Sequence, residues 1–227
     1  MSSREQERRA ALLAAEAKAL ALFRAIEANR LVATGRTERA VEQDIYALAQ
    51  ERFGVEKHWH KRIVRSGANT LTTATENPTV CTIEAGDTVY VDLGPVFDEW
   101  EADIGRTYLM GDDPIKSRLI DDLERLFKRS QAHFHATPDM TGAALYAFAQ
   151  GLAEEAGWRF GGAIAGHVVG EFPHARLPGD KELNRISPRN PLPMSDPDGF
   201  GQPRHWILEI HLVDRARTFG GFYEQLL

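Results

Sequence analysis

The sequence is poor in cysteine, in net positive charge and in long apolar runs, and each shortage excludes a class of protein. Its 227 residues contain one cysteine, Cys81, so no disulfide can form within the chain and no cysteine-based zinc cluster can be built. The 33 acidic and 27 basic side chains leave a formal charge of -6, which gives no electrostatic reason to bind nucleic acid or an anionic membrane. We therefore expect neither nucleic acid nor membrane as a partner.

The sequence also lacks any apolar run near the roughly 18 residues that a membrane span needs. Its N-terminal stretch is charged and amphipathic, without the apolar core and cleavage site of a secretory leader. Together with the single cysteine, which fits a reducing compartment, these features predict a cytoplasmic protein. At 227 residues, with 43% hydrophobic and 26% charged residues, the chain suits one soluble domain over residues 1–227 or a pair of related halves that share a core.

Helical and strand patterns follow one another in an order that occurs twice. Before residue 110, two helical segments precede strands rich in β-branched residues, and after it two further helices precede the remaining strands. The predicted helices cover 3–29, 37–52, 113–138 and 141–157, and the predicted strands lie within 55–67, 86–94, 158–170, 205–214 and 219–227. Residues 177–203 are dense in Pro, Gly, Asp and Asn, which predicts a long loop.

Two aspartates, Asp92 and Asp103, lie eleven positions apart in segments otherwise suited to burial. The segment GPVFDE between them contains Gly94 and Pro95, which favour a turn, so a tight hairpin would place the two carboxylates directly opposite each other. Like charges in that arrangement are destabilising unless a cation lies between them. The pair alone is equally compatible with one aspartate that caps a turn and one that is solvated.

Further candidate ligands occur later in the chain, in the segments GHVVGEFPH, ILEIHLVD and FGGFYEQLL. They are His167 and, seven residues on, His174; Glu209 and His211, which share a strand face; and Glu224 in an apolar strand. Singly, such residues are ordinary loop histidines or edge-strand carboxylates. Together, two Asp, two Glu and one neutral His carry four negative charges, which balance two divalent cations such as manganese, iron, cobalt or zinc. Two ions about 3.5 Å apart can hold a shared hydroxide as a nucleophile.

The order and spacing of these residues resemble the metal-ligand pattern of the M24 superfamily of methionine aminopeptidases, Xaa-Pro aminopeptidases and prolidases. The resemblance covers about residues 10–227, and the positions that match the family's five ligands are Asp92, Asp103, His167, Glu209 and Glu224. It implies an α+β pita-bread fold, in which two pseudo-symmetric halves surround a curved antiparallel sheet. It also implies two divalent metal ions, with manganese first and cobalt, iron or zinc as alternatives. We expect a single catalytic domain over residues 1–227, without the separate N-terminal creatinase-type domain of the Xaa-Pro branch.

The resemblance also implies catalytic roles for two residues. Glu209 would shuttle a proton, and His174 would stabilise the oxyanion that develops in the transition state. The wording VDLGPVFDEWEADIGRTY is similar to the Xaa-Pro aminopeptidase and prolidase branch. The leading hypothesis is therefore a dinuclear metal-dependent hydrolase that cleaves a peptide or related amide C–N bond, with a small peptide or amide as substrate.

One departure from the family pattern concerns the substrate pocket. The family carries a substrate-facing histidine shortly before the first aspartate, where this chain has Ala74 and Thr75. In the segment KHWHKR, His58 and His60 are candidates to replace it, although a partly exposed polar strand explains them equally well, and His211 is a third pocket candidate.

Two alternative functions remain open from the sequence. The missing pocket histidine favours a metal-dependent hydrolase of a small non-peptide amide or amine. A non-catalytic binding module on the same fold is a second alternative, against which the complete ligand set and the acidic charge argue. The sequence also leaves a homodimer open, and metal analysis would separate a binding module from either enzyme.

Overall fold

The computed structural model describes residues 3–227 and contains the repeated order of helices and strands that the sequence predicts. The helices are α1 (Ser3–Ala28), α2 (Glu38–Phe53), α3 (Pro114–Ala136) and α4 (Gly142–Glu155). The strands are β1 (Ile63–Ser66), β2 (Thr88–Leu93), β3 (Val96–Phe97), β4 (Trp100–Glu101), β5 (Ile104–Leu109), β6 (Arg159–Phe160), β7 (Gly166–Val169), β8 (His205–Val213) and β9 (Gly220–Leu226). Among the described residues, no helix is both long and apolar enough to cross a membrane.

Local sequence signals set the ends of the helices. Thr37 caps α2, because its side chain accepts a hydrogen bond from the backbone N–H of Ala40, and Gly54 ends the helix with a left-handed φ of 65°. Asp113 caps α3 in the same way and is followed by Pro114 in the first turn, where a missing N–H costs nothing. These caps confirm the predicted positions of both helices.

The main sheet is antiparallel and joins the two halves of the chain. Its strands lie in the order β1-β2-β5-β9-β8-β6, and β7 also pairs with β8. The first half supplies β1, β2 and β5, the second half supplies β6 to β9, and the halves meet where Gly105 of β5 pairs with Glu224 of β9. The α+β class and the two-part repeat are therefore confirmed.

Each half of the sheet is covered by its own pair of helices. Val89, Val91 and Leu93 of β2 pack into a core with residues of α1 and α2, and a separate core lies under α3 and α4. Because side chains alternate across a strand, Asp92 of β2 faces the other side of the sheet. The helices thus leave that face of the central strands free to form a polar site.

The centre of the hairpin between the two aspartates lies between Asp98 and Glu99, one residue later than the position that would place Asp92 opposite Asp103. The chain turns at Asp98 and Glu99, both with positive φ, rather than at Gly94 and Pro95. This two-residue turn, whose backbone twist matches that of the flanking strands, pairs Asp92 with Gly105. The expectation that Asp92 lies directly opposite Asp103 is therefore wrong: the two side chains are diagonal neighbours on one face.

The strand predicted within residues 55–67 is shorter in the structure, where only Ile63–Ser66 form β1. The preceding residues run beside the segment that follows β2, with Trp59 N–H donating to the carbonyl of Gly94 and Val96 N–H donating to that of Lys57. A Cβ at position 94 would lie 2.3 Å from both the Trp59 and His60 rings. Gly94 is therefore required for this close approach rather than for a turn.

A buried carboxylate connects α2 to the end of β1. Glu38 is 3% exposed and accepts hydrogen bonds from the backbone N–H of Ser66 at 2.7 Å, from the Asn69 amide at 3.0 Å and from the backbone N–H of Cys81 at 3.3 Å. Glu38 thus connects α2 to the end of β1 and to the segment that contains Cys81.

We expect Glu38→Ala to destabilise the protein by about 3 kcal/mol, because it leaves the buried backbone N–H of Ser66 without a partner and removes the hydrogen bonds that Asn69 and Cys81 donate to the carboxylate. Glu51→Ala, an exposed position on the same helix, is the matched control and should change the free energy of unfolding by less than about 0.5 kcal/mol. Urea unfolding measures both. Equal stabilities of the two variants would contradict a structural role for Glu38.

Candidate metal centre

A row of paired residues across four strands carries three carboxylates on one face of the sheet. Asp92 of β2 pairs with Gly105 of β5, Gly105 pairs with Glu224 of β9, and Glu224 pairs with Glu209 of β8. Directly paired residues point to the same face, so the row projects three carboxylates in one direction, and Asp103, two positions before Gly105, projects with them. A Cβ at Gly105 would lie 2.5 Å from Phe222 and 3.2 Å from the Glu224 side chain, so only glycine fits at the centre of this row.

His167 completes this group from the neighbouring strand β7. Its Nε2 lies 3.1 Å from Asp103 Oδ2 and 3.8 Å from Glu209 Oε1. Its Nδ1 donates to the backbone carbonyl of Val168 at 2.7 Å, so Nε2 is the ring nitrogen that faces the carboxylates. The structure therefore brings the five residues matched by the resemblance to one place, while their role as metal ligands stays a prediction.

The carboxylates carry an electrostatic cost in the absence of a cation. Burial raises the pKa of Asp92 and of Glu209, each to about 7, and raises that of Glu224 well above its usual range, with the neighbouring carboxylates acting in the same direction. Two buried oxygens, Asp92 Oδ1 and Glu224 Oε2, have no hydrogen-bond partner within residues 3–227. Buried and unpartnered carboxylate oxygens are suited to bind a divalent cation.

Asp103 has the opposite balance because two imidazoles flank it. Burial acts to raise its pKa, but the neighbouring His60 and His167 lower that pKa to about 2. Burial acts to lower the pKa of both histidines, whereas the adjacent carboxylates raise it to about 9 in each. Asp103 is thus the most strongly anionic member of the cluster.

The candidate ligand atoms form two overlapping groups. One group combines His60, Asp92 and Asp103, the other combines Asp103, His167 and Glu224, and within each the ligand atoms lie within 4.8 Å of one another. Asp103 belongs to both groups, with one oxygen directed to each histidine. Nitrogen and oxygen donors in this number suit manganese, iron, cobalt or zinc. The residues present therefore fit a divalent metal site.

His174 lies beside this cluster and is held by a carboxylate that sequence reasoning did not assign. Its Nδ1 donates to Glu101 Oε2 at 2.5 Å, and its backbone N–H donates to Glu101 Oε1 at 3.0 Å. Glu101 is 1% exposed. The strand alternation that places Glu101 in phase with Asp103 was the available sequence signal for its position on the site face, but no local pattern links it to His174.

Trp59 packs among three histidines of the site. The centroid of its ring lies 4.4 Å from that of His60, 5.0 Å from that of His167 and 4.7 Å from that of His174, each in an edge-on arrangement. The indole therefore holds three imidazoles from both halves of the chain in fixed relative positions. This packing gives Trp59 a structural role beside the site.

The three pocket candidates separate in the structure. His60 lies in the carboxylate cluster, whereas His58 lies near Tyr46 of α2 and His211 hydrogen-bonds through Nε2 with the carbonyl of Thr70 at 2.8 Å. Burial lowers the pKa of His58 to about 4 and also lowers that of His211. Within residues 3–227, neither of these two forms an ion pair with the carboxylates, so their pocket roles stay predictions.

A cavity of about 240 Å³ opens beside His174 and is lined by both apolar and cationic groups. Phe172 and Phe200 contribute aromatic surface, and Arg176 and Arg204 contribute guanidinium groups. Phe200, with 66% of its surface exposed, lies in the predicted long loop 177–203. The cavity thus combines a histidine of the candidate site with surface suited to a small amphipathic or anionic ligand.

Comparisons with known proteins agree on one family. The sequence model of metallopeptidase family M24 matches residues 5–192, a range that contains Asp92, Asp103, His167 and His174 but ends before Glu209 and Glu224. The Xaa-Pro dipeptidase of Lactobacillus delbrueckii subsp. lactis is 30% identical to this chain over 145 residues, which are 61% of this chain and 39% of the relative.

Solved structures extend the similarity to nearly the whole chain. The prolidase from Pyrococcus furiosus superposes with a TM-score of 0.70 at 22% identity over 99% of this chain and 60% of its own. The methionine aminopeptidase from Rickettsia prowazekii superposes with a TM-score of 0.66 at 16% identity over 94% of this chain and 89% of its own. These neighbours confirm the fold. The chain spans 39% of the curated relative and 60% of the prolidase.

We expect Glu224→Gln to separate two effects of this carboxylate: the loss of stability that its burial causes without metal, and the stabilisation that it allows when metal binds. In metal-free protein at mildly alkaline pH, the variant should be at least as stable as the wild type, because the amide removes a buried carboxylate whose pKa is raised by burial and by its neighbours. Wild-type protein should gain about 2.7 kcal/mol when Mn²⁺ is present at 100 times its dissociation constant. Thermal unfolding with and without Mn²⁺ measures both effects.

The expected result for the variant is a small or absent shift with Mn²⁺, since one ligand is lost. Glu51→Gln, an exposed position, should behave as the wild type in both conditions. A variant that is less stable without metal but shifts as strongly as the wild type with Mn²⁺ would contradict the metal assignment of Glu224.

Proposed function

The chain belongs to metallopeptidase family M24, and from this premise we propose that it is a dinuclear metal-dependent hydrolase that cleaves a peptide or related amide C–N bond. The observation that carries the proposal is the row of carboxylates across the sheet, with His167 beside it. Asp103, next to this row, belongs to both groups of candidate ligand atoms. Such a row is costly to bury without cations. Because the chain belongs to a family of metallopeptidases, this row of carboxylates supports a hydrolytic metal site.

We propose that two divalent ions, with manganese first and cobalt, iron or zinc as alternatives, are held by Asp92, Asp103, His167, Glu209 and Glu224. When bound, such ions polarise a carbonyl and lower the pKa of water, which makes a nucleophile available near neutral pH. The four carboxylates balance the charge of two divalent ions. Asp92 Oδ1 and Glu224 Oε2, which are buried and accept no hydrogen bond within residues 3–227, support this assignment.

Glu209 is the carboxylate best suited to move a proton. Its side chain is 18% exposed, against 8% for Asp92 and 2% for Asp103, so it is the member of this group most accessible to a substrate or water molecule. A general acid or base must reach the reacting atoms, and the greater exposure of Glu209 meets that requirement. We assign proton transfer to Glu209.

His174 is suited to stabilise negative charge on the substrate oxygen. Because its Nδ1 donates to the buried Glu101 carboxylate at 2.5 Å, the ring is held in one orientation. Its Nε2 is the ring nitrogen left to act on the developing oxyanion. Glu101 acts through His174 as a positioning residue.

The proposed substrate is a small peptide from a narrower set than ordinary Xaa-Pro and Met-Xaa peptides, and a bond before proline is the first candidate for the bond that is cleaved. The curated relative is an Xaa-Pro dipeptidase, and the segment VDLGPVFDEWEADIGRTY is similar to that branch of the family. The cavity beside His174, with its aromatic and guanidinium lining, supports binding of a small molecule that carries apolar and anionic groups.

A small non-peptide amide or amine is the second candidate substrate, and one observation favours it. Ala74 and Thr75 replace the family's substrate-facing histidine, and both are exposed in a loop that Lys61 tethers through the carbonyl of Glu76 at 2.9 Å. A pocket that lacks this hydrogen-bond donor would bind the backbone of ordinary peptides less tightly. A non-catalytic binding module has no such support.

We further propose that residues 1–227, of which 3–227 are described, form one catalytic domain, since both halves contribute to one sheet and one ligand cluster. A cytoplasmic location is supported by the single cysteine. The absence of nucleic-acid and membrane partners rests on the charge of -6, and a homodimer is the proposed assembly to be tested by sedimentation.

We expect Asp103→Ala to abolish activity and His174→Ala to reduce it while the metal stays bound. Asp103→Ala should lose both metal and hydrolysis, because this carboxylate contributes to both groups of ligand atoms. His174→Ala should keep its metal and lose about 10² to 10³ in kcat, the usual cost of removing one oxyanion donor. Metal analysis after gel filtration and steady-state kinetics measure the two effects.

The matched controls are Asp121→Ala and His135→Ala, which alter exposed positions on α3. Both should retain metal content and kcat. Equal metal loss in Asp103→Ala and His174→Ala would contradict the assignment of His174 to oxyanion stabilisation. Full activity in Asp103→Ala would contradict the proposed function itself.

We expect weak cleavage of ordinary Xaa-Pro and Met-Xaa peptides by the wild type, and stronger cleavage by Ala74→His or Thr75→His. The reason is that one missing hydrogen bond to the substrate backbone commonly costs about 1 to 3 kcal/mol. A peptide and small-amide library, assayed for released amine with Mn²⁺ and then Co²⁺, Fe²⁺ and Zn²⁺, measures both. Wild-type kcat/KM of about 10⁴ M⁻¹s⁻¹ or more on standard dipeptides would contradict this expectation.

A further inference from the structure

His60 lies at the distance from two aspartates that neighbouring ligands of one metal ion adopt. Its Nε2 is 3.4 Å from Asp92 Oδ1 and 3.2 Å from Asp103 Oδ1. Two donor atoms that are each about 2.0 to 2.2 Å from the same ion lie roughly 3 to 3.6 Å apart. The corresponding distance from His167 Nε2 to Asp103 Oδ2 is 3.1 Å.

The other nitrogen of His60 is held as in a metal-ligating histidine. Its Nδ1 lies 2.6 Å from the backbone carbonyl of Lys61, and a carbonyl only accepts, so Nδ1 carries a hydrogen. In the neutral ring this leaves the lone pair on Nε2, which faces the aspartates. Histidines that bind metals almost always donate their second N–H to a carbonyl or carboxylate in this way.

His60 and His167 are equivalent in these contacts. Each donates Nδ1–H to the carbonyl of the next residue, at 2.6 Å and 2.7 Å, and each directs Nε2 to a different oxygen of Asp103. One histidine comes from the first half of the chain and the other from the second half. The edge of Trp59 packs against both rings.

We infer that His60 is a sixth protein ligand of the proposed dinuclear centre, so that each half of the chain supplies one imidazole and Asp103 lies between them. The inference rests on the proposed function, since it assumes that the centre holds ions. His60 is then not a replacement for the substrate-facing histidine. A neutral His60 that donated from Nε2 would place the Nδ1 lone pair 2.6 Å from the Lys61 carbonyl oxygen, which is repulsive.

The close approach of this segment is built into the fold. Only glycine fits at position 94, where a Cβ would lie 2.3 Å from the His60 ring, so the chain keeps this ring against the end of β2. His60 has 17% of its side chain exposed, which is comparable with the 14% of His167. The two histidines thus have similar access to solvent as well as similar hydrogen bonds.

The test counts the imidazoles on the metal in the full chain loaded with Co²⁺. Each ligating histidine contributes one exchangeable Nδ1–H signal that is hyperfine-shifted in water and vanishes in deuterium oxide. We expect two such signals in the wild type, loss of one in His60→Asn and loss of the other in His167→Asn. His58→Asn, two residues away and outside the cluster, should keep both signals.

Calorimetric titration with Mn²⁺ provides the second measurement. We expect His60→Asn to weaken the binding of one of two ions by about 10-fold to 100-fold or more, since loss of a residue that only supports a ligand already has that effect. His58→Asn should bind both ions as the wild type does. Circular dichroism of each variant checks that the fold is retained.

Two results would overturn the inference. A single shifted signal in the wild type, with Mn²⁺ affinity unchanged in His60→Asn, would remove His60 from the centre and leave the proposed function standing. Failure of the wild type to bind any ion would contradict both the His60 inference and the proposed function. Two ions and two signals without cleavage of any peptide or amide would instead support the inference and reject the proposed function.

Discussion

The mutual repulsion of buried carboxylates is the constraint on which the rest of this structure depends. Asp92, Glu224 and Glu209 lie in one row across neighbouring strands with Asp103 beside them, where like charges are costly and water is scarce. A protein tolerates this arrangement when the surrounding sheet is rigid and the charge is compensated. The antiparallel ladder supplies the rigidity, and divalent cations are the compensation that the donor set fits.

The two halves of the chain meet at the centre of this row. Gly105 and Glu224 form the pairing that joins them, and the absent side chain of Gly105 leaves room for Phe222 and for the glutamate. Each half buries a separate core under its own helices, so the face of the sheet away from the helices is left for the site. The junction of the halves and the site are thus the same place.

The histidines around the row are positioned by contacts that lie outside the ligand set. Glu101 orients His174, the carbonyls of Lys61 and Val168 orient the two Nδ1–H groups, and Trp59 packs against three imidazoles. These contacts come from three separate segments of the chain. Because these contacts orient the histidines, replacing a residue that touches no substrate can still change metal binding or catalysis.

The sequence by itself determined the helices, most strands and the two-part repeat, because caps, alternation and spacing act within short segments. It also identified the five residues that converge, because the family pattern gives the order of the ligands. The register of the aspartate hairpin, the link from Glu101 to His174 and the place of His60 were decided by the tertiary structure. Each depends on a pairing between distant segments, such as the close approach of residues 57–60 to Gly94, that no local pattern encodes. A one-residue change at a turn moves a strand partner by two positions, and only the folded sheet resolves that difference.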